Sequence, residues 1–94
     1  MYMKKRKKMP FDPLSKFDEE IIRAILDQEG IAGSVRPHYF AIARKMKSKK
    51  TKTYDDLEGI IRDGVKQGAK ESALRKIALA VRPDLIYRFP TYSI

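Results

Sequence analysis

The side chains with the clearest chemical potential in this sequence are cations gathered into two short runs. The first run is Lys4–Lys8, and the second extends from Arg44 to Lys52. Together they contain 11 of the 21 Lys and Arg residues, and the remaining 10 are outnumbered by 12 Asp and Glu. The net charge of +9 is therefore concentrated in two places. Cationic zones on a nearly neutral body are typical of proteins that bind a polyanion, most often nucleic acid.

The composition of the two runs favours contacts with a phosphate backbone over the reading of bases. Lysine predominates, and its ammonium group lacks the bidentate fork that arginine offers. Hydroxyls interleaved in the second run, at Ser48, Thr51 and Thr53, can also donate to phosphate oxygens. The predicted contact residues of the runs are Lys4, Lys5, Arg6, Lys7, Lys8, Arg44, Lys45, Lys47, Lys49, Lys50 and Lys52. A solubilising tail and a solvated lysine loop after a helix remain the simpler alternative.

A second nucleic-acid feature lies in the spacing of Gly64, Gly68, Leu74 and Ile77. Helix–turn–helix motifs place a small residue in the first helix, a glycine in the turn, and apolar residues in the second helix. Such a second helix can enter the major groove of DNA. The spacing is also that of any two packed helices joined by a glycine turn.

Residues near the start of that second helix are the candidates for contact with DNA. In a helix–turn–helix docking, Lys70, Glu71, Ser72 and Arg75 would face base edges, and Lys76 would lie nearer the phosphates. Two polar residues weaken the match, because Asp63 and Gln67 stand where such motifs bury apolar side chains. The candidates are Lys70, Glu71, Ser72, Arg75 and Lys76.

Residue types for catalysis or metal binding are sparse. His38 is the single histidine, there is no cysteine, and no acidic residue stands at helical spacing from His38. The acidic groups Asp18–Glu20 and Asp55–Glu58 fall where helices are expected to start, and capping explains them. No phosphate-binding glycine loop, nucleophile elbow or histidine-based triad is present. We therefore expect a non-enzymatic protein with no cofactor and no metal.

Apolar periodicity and capping residues predict four helices. The first starts at Asp12 or at Ser15, which can form a capping box with Asp18, and stops at Gly30. The others extend over about Val35–Lys47 with Ser34 as cap, from Thr53 with Asp56 to near Gly68, and over about Lys70–Val81, closed by Pro83. Leu85–Phe89 has the aromatic and branched residues of a short strand or of a packed extended segment.

Each predicted helix has an apolar face that should point inward. Phe40 is placed at the margin of the apolar face of the second helix. In the C-terminal extended segment, alternate residues would be buried. The predicted faces are Leu14, Phe17, Ile21, Ala24 and Ile25 in the first helix, Tyr39, Ile42, Ala43 and Met46 in the second, Leu57, Ile60, Ile61 and Val65 in the third, and Ala73, Leu74, Ile77, Ala80 and Val81 in the fourth.

The chain length and composition predict one mainly α domain. With 94 residues, 43% of them hydrophobic, the chain suits a single core. We expect a disordered basic arm over residues 1–12 and a helical nucleic-acid-binding domain over 13–94, helix–turn–helix-like or winged-helix-like, with a short extended C-terminal segment. A homodimer is compatible with this size.

The sequence as a whole favours a DNA-binding protein, such as a transcription regulator, a partition protein or a chromatin-type factor. No apolar run approaches the roughly 20 residues needed to cross a membrane, and no secretory signal follows the basic start, so an intracellular protein is expected. Abundant charged residues without cysteine point to an archaeal source. Two alternatives remain: an RNA-associated or virion structural protein, and a protein-interaction module with solubilising lysines.

Overall fold

Five α-helices and one 3₁₀ turn form residues 14–87, the part of the chain that the computed structural model describes. The N-terminal run Lys4–Lys8, the predicted arm and residues 88–94 lie outside this part. The elements are α1 (Lys16–Gln28), the 3₁₀ turn (Gly33–Val35), α2 (Arg36–Lys47), α3 (Tyr54–Lys66), α4 (Glu71–Val81) and α5 (Pro83–Tyr87). A mainly α fold is thus confirmed.

Two helices start with the capping boxes that the sequence predicts. At the start of α1, the Ser15 hydroxyl accepts from the Asp18 amide at 3.0 Å, and the Asp18 carboxylate accepts from the Ser15 amide at 3.2 Å. Thr53 and Asp56 repeat the arrangement at the start of α3, with both distances 3.1 Å. Each box satisfies amides that a helix start leaves unpaired.

The start of α2 differs from the prediction. Ser34 does not cap the helix; it lies within the 3₁₀ turn, and Val35 occupies the cap position without a side-chain hydrogen bond. The turn makes a backbone bond of its own, from the Val35 amide to the Ala32 carbonyl at 3.2 Å. The helix therefore continues directly from a tighter turn and needs no capping hydroxyl.

The core is centred on α4, which packs against α1, α2, α3 and α5. The predicted inner face of α2 is confirmed, because Tyr39, Ile42, Ala43 and Met46 are buried and Phe40 is half-buried. Every one of the first four α-helices contributes to the set of largest fully buried side chains. These are Ile22, Leu26, Met46, Leu57, Leu74 and Ile77.

The predicted inner face of α1 is partly wrong. Ile22 and Leu26 are fully buried, whereas Phe17 is 69% exposed and Ala24 is exposed. Of the other predicted residues, Leu14 is buried and Ile21 and Ile25 are half-buried. Apolar residues surround α1, so periodicity alone leaves two faces open. The stripe that faces the core also contains a carboxylate, because Asp18 is buried at 8% exposure.

Smaller corrections apply to α3 and α4. Val65 is 38% exposed, and the core position next to it is Gly64. In α4, Ala78 is buried at 1% exposure while the predicted Ala80 is only half-buried. At Gly64 the side chains of Leu74 and Ile42 approach the α3 backbone closely, so the glycine takes the core position. The buried face of α4 is wide because α4 contacts four other helices.

The C-terminal strand is also wrong for the residues that can be described. Leu85–Tyr87 belong to the short helix α5, and no strand occurs within residues 14–87. Pro83 opens α5 at its first position, where its fixed backbone angle suits a helix and its missing amide is not needed. Arg88 and Phe89 lie outside the described residues.

Two glycines of α3 allow a test of helix packing by the same substitution. A methyl group on Gly64 would lie 2.7 Å from Leu74 Cδ1 and 3.0 Å from Ile42 Cδ1, whereas one on Gly59 would meet nothing within 4 Å. The gain in helix propensity is common to both positions. We expect Gly64→Ala to be less stable than Gly59→Ala by about 1–3 kcal/mol, measured by urea unfolding. Equal stabilities would contradict close contact at Gly64.

Candidate nucleic-acid interface

The helices bring the start of α1, the end of α2 and the end of α4 to one end of the bundle, which we call the basic end. Lys47 Nζ lies 3.5 Å from the carboxylate of Asp18, joining α2 to α1. The Arg82 guanidinium donates to the Met46 carbonyl at 2.8 Å, joining the C-terminal end of α4 to α2. The α2–α3 loop (residues 48–53) lies at this end.

The α2–α3 loop is held by hydrogen bonds, some of them part-buried. Thr51 is only 4% exposed, and its hydroxyl donates to the Lys45 carbonyl at 2.6 Å. Arg82 donates a second hydrogen bond, to the Thr51 carbonyl at 2.9 Å. At the loop tip, the Ser48 hydroxyl accepts from the Lys50 amide at 3.1 Å. Since each bond ties the loop to a helix or to itself, its backbone has a defined path.

The start of α3 anchors the other side of the loop. The Asp56 carboxylate accepts hydrogen bonds from the amides of Lys52 and Thr53, at 3.0 and 3.1 Å. These bonds hold the pKa of Asp56 below its ordinary value, because they favour the charged carboxylate. Asp56 therefore stays ionised and orders the loop near neutral pH.

The ordered loop places its cations on the surface. The side chains of Lys45, Lys49, Lys50 and Lys52 are exposed, and Lys47 is half-buried against Asp18. A cleft of about 570 Å³ separates the loop from the end of α4. It is lined by Lys47, Ser48, Lys49, Thr51, Lys52, Val81, Arg82, Asp84 and Leu85.

The described chain also begins at the basic end, because Leu14 and Ser15 lead into the helix whose Asp18 pairs with Lys47. Lys8 and Lys4 precede Leu14 by six and ten residues. The first basic run is therefore attached to the basic end by only a short length of chain.

The predicted contact residues at the start of α4 surround one carboxylate, that of Glu29. Its oxygens lie 3.3 Å from Lys70 Nζ and 2.7 Å from Lys76 Nζ, and the Ser72 hydroxyl donates to it at 2.7 Å. Hydrogen bonds from Lys76, Ser72 and Lys70 lower the pKa of Glu29 to about 2. Glu29 therefore links the end of α1 to the start of α4.

Arg75 is engaged in a similar way. Its guanidinium forms a bidentate pair with Glu58, at 3.1 and 2.8 Å, and a further bond of 2.8 Å with Glu71. These bonds raise the pKa of Arg75 and hold the pKa of Glu58 below its ordinary value. The pairs join α4 to α3 and to its own first turn.

The structure places the two predicted groups of contact residues at opposite ends of α4. With 11 residues, α4 extends over about 16 Å. The α2–α3 loop adjoins its C-terminal end, and Lys70, Ser72 and Lys76 adjoin its first turns. Between α3 and α4, Gly68 adopts φ +103°, which favours glycine in a turn.

Three residues that organise these groups were not predicted to do so. Asp18 was interpreted only as a capping residue, although it also binds Lys47. Glu29 and Arg82 were not assigned any role, because the partners through which they join separate helices lie 31 or more residues away along the chain. No local pattern reports contacts at such separation.

His38 and the acidic residues form no recognised site in the described part of the chain. His38 is half-buried, and its Nε2 atom is buried without a hydrogen-bond partner. Residues 14–87 contain no group of three or more His, Asp and Glu side chains that could hold a metal ion. None of the described helices is long and apolar enough to span a membrane.

The fold and the site together define a small helical domain with a cationic end. No family model matches the chain, and comparison with curated proteins and with solved structures finds no match to it.

The cluster of Lys70, Ser72 and Lys76 around Glu29 makes a pH-dependent contribution to the stability of the fold. Because the folded state lowers the pKa of Glu29 from 4.5 to about 2, the contribution is complete above pH 4.5 and is lost as the pH falls through about 2. We expect Glu29→Gln to melt at a lower temperature than the wild type at pH 7, and the difference to vanish near pH 2. The exposed Glu20→Gln is the control and should differ little throughout. A Glu29→Gln difference that persists undiminished at pH 2 would contradict an ionic role.

Proposed function

We propose that this protein is a non-enzymatic DNA-binding protein that attaches to the phosphate backbone of duplex DNA through its basic end. The observation that supports this most is the ordered α2–α3 loop, which presents Lys49, Lys50 and Lys52 on the surface just after the end of α2, where Lys47 pairs with Asp18 in the first turn of α1. Transcription regulators, partition proteins and chromatin-type factors are the classes that such attachment suits.

The order of the loop favours binding over simple solubility. A solubilising loop gains nothing from a fixed backbone, whereas a binding loop that is already ordered avoids the entropy loss of ordering on contact. Thr51, Arg82 and Asp56 supply that order through five hydrogen bonds to the loop and the end of α2. The lysines therefore meet a phosphate backbone from a stable platform.

The chemistry of the loop supports attraction to the backbone. Lysine ammonium groups act as point charges and carry little base specificity. A docking in which α4 reads base edges would require Lys70, Ser72 and Arg75 to leave their carboxylate partners. Breaking those charged hydrogen bonds would oppose the new contacts. We therefore assign the principal contacts to the α2–α3 loop and the N-terminal run.

Binding of the full chain to three nucleic acids at two salt concentrations tests the proposal. Fluorescence anisotropy would compare duplex DNA, single-stranded DNA and structured RNA at about 50 and about 200 mM salt. We expect duplex DNA to bind tightest and to lose about a thousandfold in affinity between the two, as contact with about six phosphates implies.

The other outcomes point to the alternatives. Tighter binding to structured RNA would favour an RNA-associated or virion protein. Weak and equal binding to all three would favour a protein-interaction module and would refute the proposal.

A further inference from the structure

A second cationic feature lies between α1 and α2, on a different surface from the α2–α3 loop. It is a groove of about 450 Å³, a volume within the range of small-molecule sites. Arg36, Phe40 and Arg44 follow each other at four-residue steps, so they share one face of α2. The groove is lined by Glu19, Arg23, Gly33, Arg36, Pro37, Phe40 and Arg44.

Phe40 gives the groove an aromatic wall. The ring packs against the core and is half-buried, and it also lines the groove. The guanidinium carbon of Arg23 lies over the ring at 6.0 Å from its centre. This is at the outer limit of a cation–π contact and beyond van der Waals contact, which is about 3.5–4.0 Å.

Arg23 is held loosely enough to move. Its side chain is 59% exposed, and its pair with Glu19 is long, at 3.9 Å. A flat base inserted between the guanidinium and the ring needs about 7 Å, or two contacts of roughly 3.5 Å. The guanidinium carbon lies 6.0 Å from the ring centre, so Arg23 must move away from the ring to admit a base, which its exposed side chain and long ion pair permit.

Arg36 forms a fixed wall by contrast. Its guanidinium pairs with Asp27 at 2.8 Å and donates to the Ile31 carbonyl at 3.0 Å. Three guanidinium groups thus line the groove, and two carboxylates partly offset their charge, namely Glu19 in the lining and Asp27 paired with Arg36. The charge of the groove is complementary to that of a phosphate, and its aromatic wall to a base.

We propose that this groove seats one unpaired nucleotide, with its base stacked between Phe40 and Arg23 and its phosphate against Arg44. Arg44 also begins the second basic run, so a strand leaving the groove along α2 reaches the α2–α3 loop. The inference rests on the proposed binding of nucleic acid and adds a separate subsite for an unpaired base. Base–aromatic stacking tolerates every base, so the subsite selects unpaired strands without selecting a sequence.

Stacking can be observed with an oligonucleotide that contains the fluorescent base 2-aminopurine. Single-stranded DNA and RNA versions are titrated with the full chain, and quenching of the fluorescence reports stacking. Phe40→Leu keeps an apolar side chain in the core and removes the aromatic face. Phe17→Leu is the matched control, because Phe17 is 69% exposed and does not line the groove.

We expect wild type and Phe17→Leu to quench the probe, and Phe40→Leu to bind the single strand about tenfold more weakly without quenching. Arg23→Gln, an exposed change that leaves the core intact, should also weaken single-strand binding several-fold. The DNA and RNA arms show which strand the subsite prefers. Equal binding and quenching by Phe40→Leu and Phe17→Leu would overturn the proposal.

Failure of the subsite is distinguishable from failure of the proposed function. Duplex binding that survives in Phe40→Leu, together with no quenching by the wild type, would remove the subsite and leave the duplex proposal standing. Quenching that depends on Phe40, with no binding to duplex DNA, would remove the duplex proposal and leave the subsite standing. Thermal melting of each variant verifies folding, and Arg23→Gln decides the matter if Phe40→Leu is unstable.

Discussion

Replacing Lys50 and Lys52 by Gln is expected to weaken binding to duplex DNA by about 30-fold at about 0.15 M salt, because each phosphate contact contributes roughly fivefold there. Both side chains are exposed on the α2–α3 loop. The slope of log affinity against log salt should also become shallower by about 2, since two fewer counterions are displaced. Anisotropy titrations over a range of salt concentrations provide both quantities.

The matched control removes the same charge from another surface. Arg62 and Lys66 are exposed on the last turns of α3, away from the α2–α3 loop. Arg62→Gln/Lys66→Gln lowers the net charge equally and should change duplex affinity by no more than a few-fold. Equal losses in the two double variants would show that net charge alone attracts DNA, which would contradict a localised interface.

Removing the Arg82 guanidinium is expected to destabilise the fold by about 2–4 kcal/mol in Arg82→Ala, as judged from charged hydrogen bonds. Its side chain is 16% exposed and donates to the carbonyls of Met46 and Thr51. The substitution leaves both part-buried carbonyls without that donor and frees the α2–α3 loop from α4. Urea unfolding measures the loss, and affinity for duplex DNA should fall because the loop must be ordered on binding.

Asp84→Asn separates the ion pair that Arg82 forms with Asp84 from the hydrogen bonds that Arg82 donates to the carbonyls of Met46 and Thr51. The Arg82–Asp84 pair is 3.1 Å long with an Asp84 side chain that is 59% exposed. The guanidinium lowers the pKa of Asp84, and exposed pairs of this kind contribute no more than about 1 kcal/mol. A loss in Asp84→Asn equal to that in Arg82→Ala would contradict the importance of the two carbonyl bonds.

The local features of the fold could be predicted from the sequence, and the long-range ones could not. The capping boxes at Ser15 and Thr53 depend on residues three positions apart, so the pattern is visible in the chain. The buried face of α2 follows from a clear division between apolar and charged positions. In contrast, α1 has apolar residues on two sides. The side that faces the core is the one that carries Asp18, whose carboxylate pairs with the half-buried Lys47.

The candidate site shows the same division. The cations of Arg44–Lys52 are visible in the sequence, whereas the groups that order them are not. Arg82 follows α4 and precedes a proline, with no local sign that it reaches the end of α2. Glu29 likewise resembles an ordinary residue at a helix end, and only the fold gathers Lys70, Ser72 and Lys76 around it.

The second basic run has two interpretations, stabilisation of the α2 helix end and binding of a polyanion, and each applies to a different part of the run. Lys45 and Lys47 lie in the last turn of α2, where positive charge stabilises the helix dipole. Lys49, Lys50 and Lys52 follow the helix end and gain little from that dipole, which acts within the last turn. The loop lysines are therefore the part of the run that a helix-stability account leaves unexplained.

Amide chemical shifts of the isotopically labelled full chain, followed during titration with duplex DNA, test the basic end most directly. The account expects the largest changes at residues 47–53 and at the first residues of α1, with little change at Glu29 and the first turns of α4. Changes centred on Glu29, Lys70 and Lys76, or no change at any ratio in low salt, would contradict it.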